Sequence, residues 1–132
     1  MKKKVIVLDT TGFLAKIHLS IYDYDIYTTK TVIDEVKDIE NREALDLGLD
    51  INRVKLIEPK REIVDKIILF ARKIGLENKL SRTDIEVASI AYDLSREYNV
   101  VVFTDDYALQ YLLSKLNIVF KPLRTIGINR NK

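Results

Sequence analysis

The chain has 132 residues, 47% hydrophobic and 32% charged, with four Gly, two Pro, a single His and no Cys. This is the composition of one compact domain, and it excludes low-complexity chains, disulfide scaffolds, zinc ribbons, cysteine nucleophiles and multi-histidine metal sites. The formal net charge of +2 is unevenly spread, with nine acidic against three basic residues in 23–50, four basic and no acidic residues in 121–132, and Lys2, Lys3 and Lys4 at the start.

Val5-Ile6-Val7-Leu8 is a continuous apolar run rather than an alternating one, which predicts a strand buried on both faces. Residues 11–19 read as a short helix. Tyr22, Tyr24 and Tyr27 fall in the connection that follows, placed near the end of the sheet where the motifs lie. Residues 31–39 predict a second helix with Val32, Val36 and Ile39 on one face, and residues 42–49 a third that stops near Gly48. Val54-Lys55-Leu56-Ile57, closed by Pro59, is a weaker strand, and residues 62–74 form a strongly periodic helix ending before Gly75. Residues 81–98 carry Val87, Ala91, Leu94 and Tyr98 as an apolar stripe. Val100-Val101-Val102-Phe103 is a second fully apolar strand, residues 105–116 a last helix, and Ile118-Val119-Phe120 a short strand before Pro122. Strands alternating with helices predict a three-layer α/β sandwich around a mainly parallel sheet of four to five strands. No apolar run approaches a membrane span and the start is too short for a signal peptide, so a soluble cytoplasmic protein without membrane contact is expected.

Both apolar strands run directly into acids: Asp9 after the first, Thr104-Asp105-Asp106 after the second. Sites in open parallel sheets form beyond the carboxyl ends of the strands, so these acids are expected to converge. Asp84 is in phase with the apolar stripe of its helix, and Glu35 lies beside the face of Val32 and Val36. Each acid also has a purely structural explanation. Asp9 and Thr104 or Asp105 can cap the following helices, Ser81 with Asp84 resembles a capping box, and Glu35 fits a charged helix face. Taken together, Asp9, Glu35, Asp84, Asp105 and Asp106 form an all-oxygen set that suits Mg²⁺ or Mn²⁺ and phosphodiester hydrolysis by a metal-bound water.

Val7-Leu8-Asp9-Thr10-Thr11, Val32-Ile33-Asp34-Glu35-Val36, Ser81-Arg82-Thr83-Asp84-Ile85-Glu86-Val87-Ala88 and Val102-Phe103-Thr104-Asp105-Asp106-Tyr107-Ala108-Leu109-Gln110 resemble, in order, the four motifs of the PIN-domain family of metal-dependent ribonucleases. The third and fourth look most like the Nob1 branch, which matures the 3′ end of small-subunit ribosomal RNA. The toxin branch (VapC) usually has another residue between the Thr and its first Asp of the fourth motif. Nob1 proteins normally continue into a zinc ribbon, which a chain without Cys cannot form. A PIN-only relative, or one whose ribbon was lost or cut off, is therefore expected, with residues 1–121 as the PIN-like domain and 122–132 as a basic extension. The resemblance implies Asp9, Glu35, Asp84 and Asp105 as catalytic metal-binding acids, with Asp106 as a further ligand. It also implies a single-stranded RNA substrate, such as pre-rRNA or the small ribosomal subunit, in rRNA maturation or another RNA-processing step; homodimerisation is left open. Lys4, Tyr24, Arg82, Lys121 and Arg124 are candidate RNA contacts, as are Lys2, Lys3, Arg130, Lys132 and stacking by Tyr22 and Tyr27. His18 reads as a packing residue. The competing readings are a VapC-type toxin and a non-catalytic PIN-like RNA-binding module. A response-regulator receiver is disfavoured because no middle strand ends in a lone Asp.

Overall fold

The computed structural model describes residues 2–123, so Arg124, Arg130 and Lys132 lie outside the described residues. Five strands form one sheet in the order β3-β2-β1-β4-β5, and every neighbouring pair is parallel. They are β1 (Lys4–Leu8), β2 (Asp25–Thr28), β3 (Val54–Leu56), β4 (Asn99–Phe103) and β5 (Val119–Lys121). Helices α1 (Thr10–Leu14), α2 (Lys30–Glu35), α3 (Ile39–Asp50), α4 (Arg61–Lys73), α5 (Arg82–Leu94) and α6 (Tyr107–Lys115) complete the α/β sandwich. Parallel neighbours need crossover connections, and the helices supply them.

The central position of β1 follows from its residues. Val5, Ile6, Val7 and Leu8 are all fully buried, as are Val100, Val101 and Val102 of the adjoining β4. Continuous apolar strands of this kind need cover on both faces. α5 lies against β1 and β4 and is buried almost all round from Glu86 to Ala91. Gly12 permits the tight turn from β1 into α1, since a Cβ there would stand 2.9 Å from Leu8 Cδ2. Among the described residues no helix is long and apolar enough to cross a membrane.

Several elements differ from the sequence expectation. The largest difference is β2, because residues 22–27 were read as a connection. Asp25-Ile26-Tyr27-Thr28 has only Ile26 as a fully buried apolar side chain, so its composition looks like a loop. It is held by pairing on both sides and by Thr28 Oγ1, which donates to Leu8 O at 3.0 Å. The second helix also ends earlier than expected. Val36 leaves it with an extended backbone, and Asp38 starts a new helix by accepting from the Asn41 backbone, so Ile39 opens α3 and is exposed. α1 stops at Leu14, with a separate 3₁₀ turn at Ile17–Leu19, and α5 stops at Leu94, short of Tyr98.

Candidate active site

β1 and β4 are in register, Leu8 opposite Phe103, so Asp9 and Thr104 emerge side by side at the carboxyl end of the sheet. Asp9 is almost fully buried and caps α1. Its Oδ1 accepts from Gly12 N at 3.1 Å and from Thr11 Oγ1 at 2.6 Å, and the carboxylate also receives the Thr104 hydroxyl. Thr104, itself fully buried, accepts from Asp106 N at 3.1 Å. One hydroxyl thereby couples the acid of β1 to the backbone of the acid that caps α6. Asp106 Oδ1 receives Leu109 N at 2.8 Å. Asp84 occupies the third position of α5 in a complete capping box: its Oδ2 accepts from Ser81 N at 3.0 Å, while Asp84 N donates to Ser81 Oγ at 3.1 Å. Asp9 and the Ser81–Asp84 box thus take the capping roles expected of them, while the cap of α6 is Asp106 rather than Thr104 or Asp105.

The electrostatics locate the cluster more sharply than the caps do. Burial pushes the Asp9 carboxyl above its ordinary value, against the hydrogen bonds from Thr104, Thr11 and Gly12. Asp84 is raised first by burial, and the negative charges of Asp106 and Asp9 push it further. Asp84 thus stands in a partly desolvated place within reach of the charges of both Asp9 and Asp106.

Glu35, at the end of α2, is exposed but tightly held. Thr10 Oγ1 donates to its Oε1 and Thr83 Oγ1 to its Oε2, each at 2.6 Å. It straps α1 to α5 through the threonines adjacent in sequence to Asp9 and Asp84. Glu86, nine-tenths buried, plays a similar part between α2 and α5, accepting from Thr31 Oγ1 at 2.9 Å and from Arg82 Nε at 3.1 Å. Sequence reasoning missed Thr10, Thr83, Thr104 and Glu86. The signal for the threonines was available: each stands next to a motif acid, and a hydroxyl is the natural donor to a buried carboxylate.

The other expected residues scatter. Asp105 turns toward the end of β5, where its Oδ1 accepts from Leu123 N at 2.7 Å. Lys4 and Tyr24 lie at the opposite end of the sheet from Asp9, with Lys4 Nζ 5.1 Å from the Tyr24 ring centroid. This corrects the expected placement of the early tyrosines near the motifs. Because residues 25–28 form a strand parallel to β1 with Asp25 opposite Val5, Tyr22 and Tyr24 precede its amino end. Lys2 and Lys3 share that end. Lys121 is at the same end as the acids, its carbonyl accepting from Thr104 N at 3.2 Å. Arg82, beside Asp84, points largely into solvent while pairing with Glu86. A cleft of about 970 Å³ opens between α2, the end of β3, α4 and α5, and reaches Ser81 and Arg82 without being lined by Asp9, Asp84 or Asp106.

Asp9, Asp84, Asp106 and their hydroxyl neighbours offer only hard oxygen donors, and the negative charge that Asp9 and Asp106 bring to Asp84 is of the kind a divalent cation would relieve. Among the described residues no three acids surround a single point closely enough to form a complete metal cage.

The family model described as the PIN domain of ribonuclease matches residues 6–94. The chain is 36% identical over 122 residues to "Endoribonuclease Nob1" of Pyrococcus abyssi, covering 92% of this chain and 70% of that protein. It is 32% identical over 128 residues to "Endoribonuclease Nob1" of Methanocaldococcus jannaschii, covering 97% of this chain but 61% of that one. It is also 32% identical over 126 residues to "Ribonuclease VapC3" of Aeropyrum pernix, covering 95% of this chain and 90% of the relative. The chain therefore spans about three fifths to seven tenths of these archaeal Nob1 proteins and nine tenths of the VapC relative. Among solved structures, the T. brucei RRP44 PIN domain superposes with a TM-score of 0.58 at 14% identity, over 96% of this chain and 80% of that one, a likeness of fold. With a parallel five-stranded sheet, acids gathered where β1 and β4 end, and Nob1 relatives aligned over almost its whole length, the chain belongs to the PIN-domain ribonuclease family and is Nob1-like within it.

Proposed function

We propose that the protein is a metal-dependent endoribonuclease that hydrolyses phosphodiester bonds in single-stranded RNA, with Asp9, Asp84 and Asp106 holding Mg²⁺ or Mn²⁺. The observation that carries this reading is the register of β1 with β4, which brings Asp9 and the Thr104-Asp105-Asp106 turn out side by side at the carboxyl end of the sheet, with Asp84 within reach of the charges of Asp9 and Asp106. A protein using these acids only as helix caps has no reason to crowd them. A divalent ion held there would supply an activated water and neutralise charge on the departing oxygen. The chain's own residues do the positioning. Thr104 and Thr11 fix the Asp9 carboxylate, Ser81 fixes Asp84, and Glu35 locks α1 to α5 so that the acids keep their spacing. Arg82 and Lys121 stand at the acid end of the sheet as phosphate contacts. Asp106, rather than Asp105, is the acid of the fourth motif in this reading. It stands two residues beyond Thr104, with one residue between as in the toxin branch, and its charge reaches Asp84, whereas Asp105 accepts from Leu123 N at the end of β5.

For the biological role we favour maturation of small-subunit rRNA, on the strength of the Nob1 relatives, one of which, from Saccharomyces cerevisiae, is named a 20S-pre-rRNA D-site endonuclease. A second reading, a VapC-type toxin, is supported by the near-complete mutual coverage with the Aeropyrum pernix ribonuclease. Cleavage of an RNA spanning the 3′ end of small-subunit rRNA, set beside unrelated single-stranded RNA and DNA, tests both. Cutting at the mature 3′ end alone supports maturation, and cutting of unrelated RNAs with the rRNA 3′ end spared supports the toxin. Intact RNA throughout, with Mn²⁺ or Mg²⁺ present, overturns the nuclease reading.

A further inference from the structure

Six of the seven tyrosines have their rings engaged. Tyr22 lies against Arg53, Tyr24 against Lys4, Tyr27 against Lys55, Tyr92 against Lys66 and Arg96, and Tyr111 against Lys115, while Tyr98 packs on the core. Tyr107 alone, among the described residues, has no ring partner, and at 84% exposed it is the most exposed large hydrophobic side chain. Its position is the second observation. It is the first residue of α6, directly after the capping acid Asp106, at the end of the sheet where Asp9 and Asp84 lie. The backbone there is held rigidly, because Asp106 accepts from Leu109 N and donates to Thr104, and Gln110 Nε2 donates to Thr104 O at 2.8 Å. The backbone that carries this bare aromatic ring is thus held in place, one residue from Asp106.

An aromatic ring left uncovered in water gains nothing for folding. A nucleobase can cover it, and stacking accepts any base because every base has a π-face. Base pairs in a duplex are already stacked and leave no face to offer, so such a platform selects for unpaired nucleotides. We propose that Tyr107 is the stacking platform for an unpaired nucleobase flanking the phosphodiester held at the acid cluster, and that this contact gives the protein its preference for single strands. The inference deepens the nuclease reading and rests on it for the position of the phosphodiester.

Binding is measured with the full chain carrying Asp84→Asn, so that RNA is not consumed, against a short oligouridylate, an oligothymidylate of equal length and the oligouridylate paired with oligoadenylate. Tyr107→Ala and Tyr107→Leu should each weaken binding to both single strands by about fivefold or more, while Tyr107→Phe retains it and duplex affinity does not move. In the cleaving parent background, Tyr107→Ala should raise KM more than it lowers kcat. Single-strand affinity equal to the parent in both Tyr107→Ala and Tyr107→Leu overturns the inference, as does an equal loss for duplex, or a Tyr107→Phe as weak as Tyr107→Ala. Melting temperatures of all variants should match the parent, as expected for an exposed ring. A protein that binds oligouridylate through Tyr107 yet never cuts it supports the platform and removes the nuclease reading. One that cuts it while Tyr107→Ala binds and cuts like the parent removes the platform alone.

Discussion

Asp84 shows how one residue serves both the fold and the site. Its carboxylate completes the capping box of α5, which Asn can also do through its amide oxygen, but only Asp brings a charge beside Asp9 and Asp106. Asp9→Asn, Asp84→Asn and Asp106→Asn should therefore each reduce single-turnover RNA cleavage by on the order of 10²-fold or more while leaving circular dichroism unchanged. Asp105→Asn should cost less than Asp106→Asn, since its carboxylate holds the Leu123 amide at the end of β5. Thr83→Val removes a 2.6 Å donor from Glu35 and should destabilise the protein by about 0.5–1.5 kcal/mol in denaturant titrations. His18 carries a prediction on pH. It is buried against Phe13, with ring centroids 5.0 Å apart and both ring nitrogens lacking hydrogen bonds. Burial holds its pKa below the ordinary 6.5, and the positive charges of Lys16 and Arg53 lower it further. The unfolded chain then binds this proton more readily than the folded one. Stability contributed by neutral His18 is lost as pH falls below about 6.5, down to the folded-state value. Asp9 and Asp84, whose folded values are raised, act in the opposite direction, so comparison with His18→Leu isolates the term. The parent should lose more melting temperature than His18→Leu between about pH 7 and pH 5. A parallel pH dependence in the two proteins would rule this out.

Among the elements, the two apolar strands were legible because β1 and β4 are buried on both faces, and full burial writes itself as an unbroken apolar run. β2 was not legible: its polar residues are satisfied by Lys3, Lys55 and the Leu8 carbonyl, all distant in sequence. The break between α2 and α3 was hidden for a related reason. Val32, Val36 and Ile39 keep helical spacing, but the Asp38 cap at the start of α3 overrides it. Asp9 and the Asp105–Asp106 pair were legible as acids at strand ends, whereas the contact of Asp105 with the Leu123 amide beyond β5 joins residues distant in sequence and was not. Turning the candidate RNA contact Tyr24 to the far end of the sheet likewise required knowing that β2 exists, whereas Lys4 lies there simply because it opens the strand that runs into Asp9. The junction of β1 and α1 has the tightest packing relevant to the site. Gly12→Ala would bring a Cβ to 2.9 Å from Leu8 Cδ2 and should cost about 1–3 kcal/mol of stability, read from the shift in denaturation midpoint. Because Gly12 N also donates to Asp9, the same change should lower cleavage.

For the whole molecule, the proposed ion ties stability to function. A ligand that binds only the folded state raises stability by mass action, by about 2.7 kcal/mol at a hundredfold excess over Kd. Melting temperature should rise with added Mn²⁺ in the parent and fall back with chelator. Asp84→Asn should melt higher than the parent in chelator, since it removes a carboxylate that the fold disfavours, and should respond less to Mn²⁺. A parent insensitive to millimolar Mn²⁺ would show that the acids form no ion site. Activity decides the rest. The most direct measurement is single-turnover cleavage of an end-labelled single-stranded RNA by the purified protein with Mn²⁺, run beside Asp9→Asn, Asp84→Asn and Asp106→Asn. The parent should cut the RNA in a metal-dependent manner while all three variants stay near background; an intact RNA with the parent, or three variants that cut at the parent's rate, would contradict a shared acid site for phosphodiester hydrolysis.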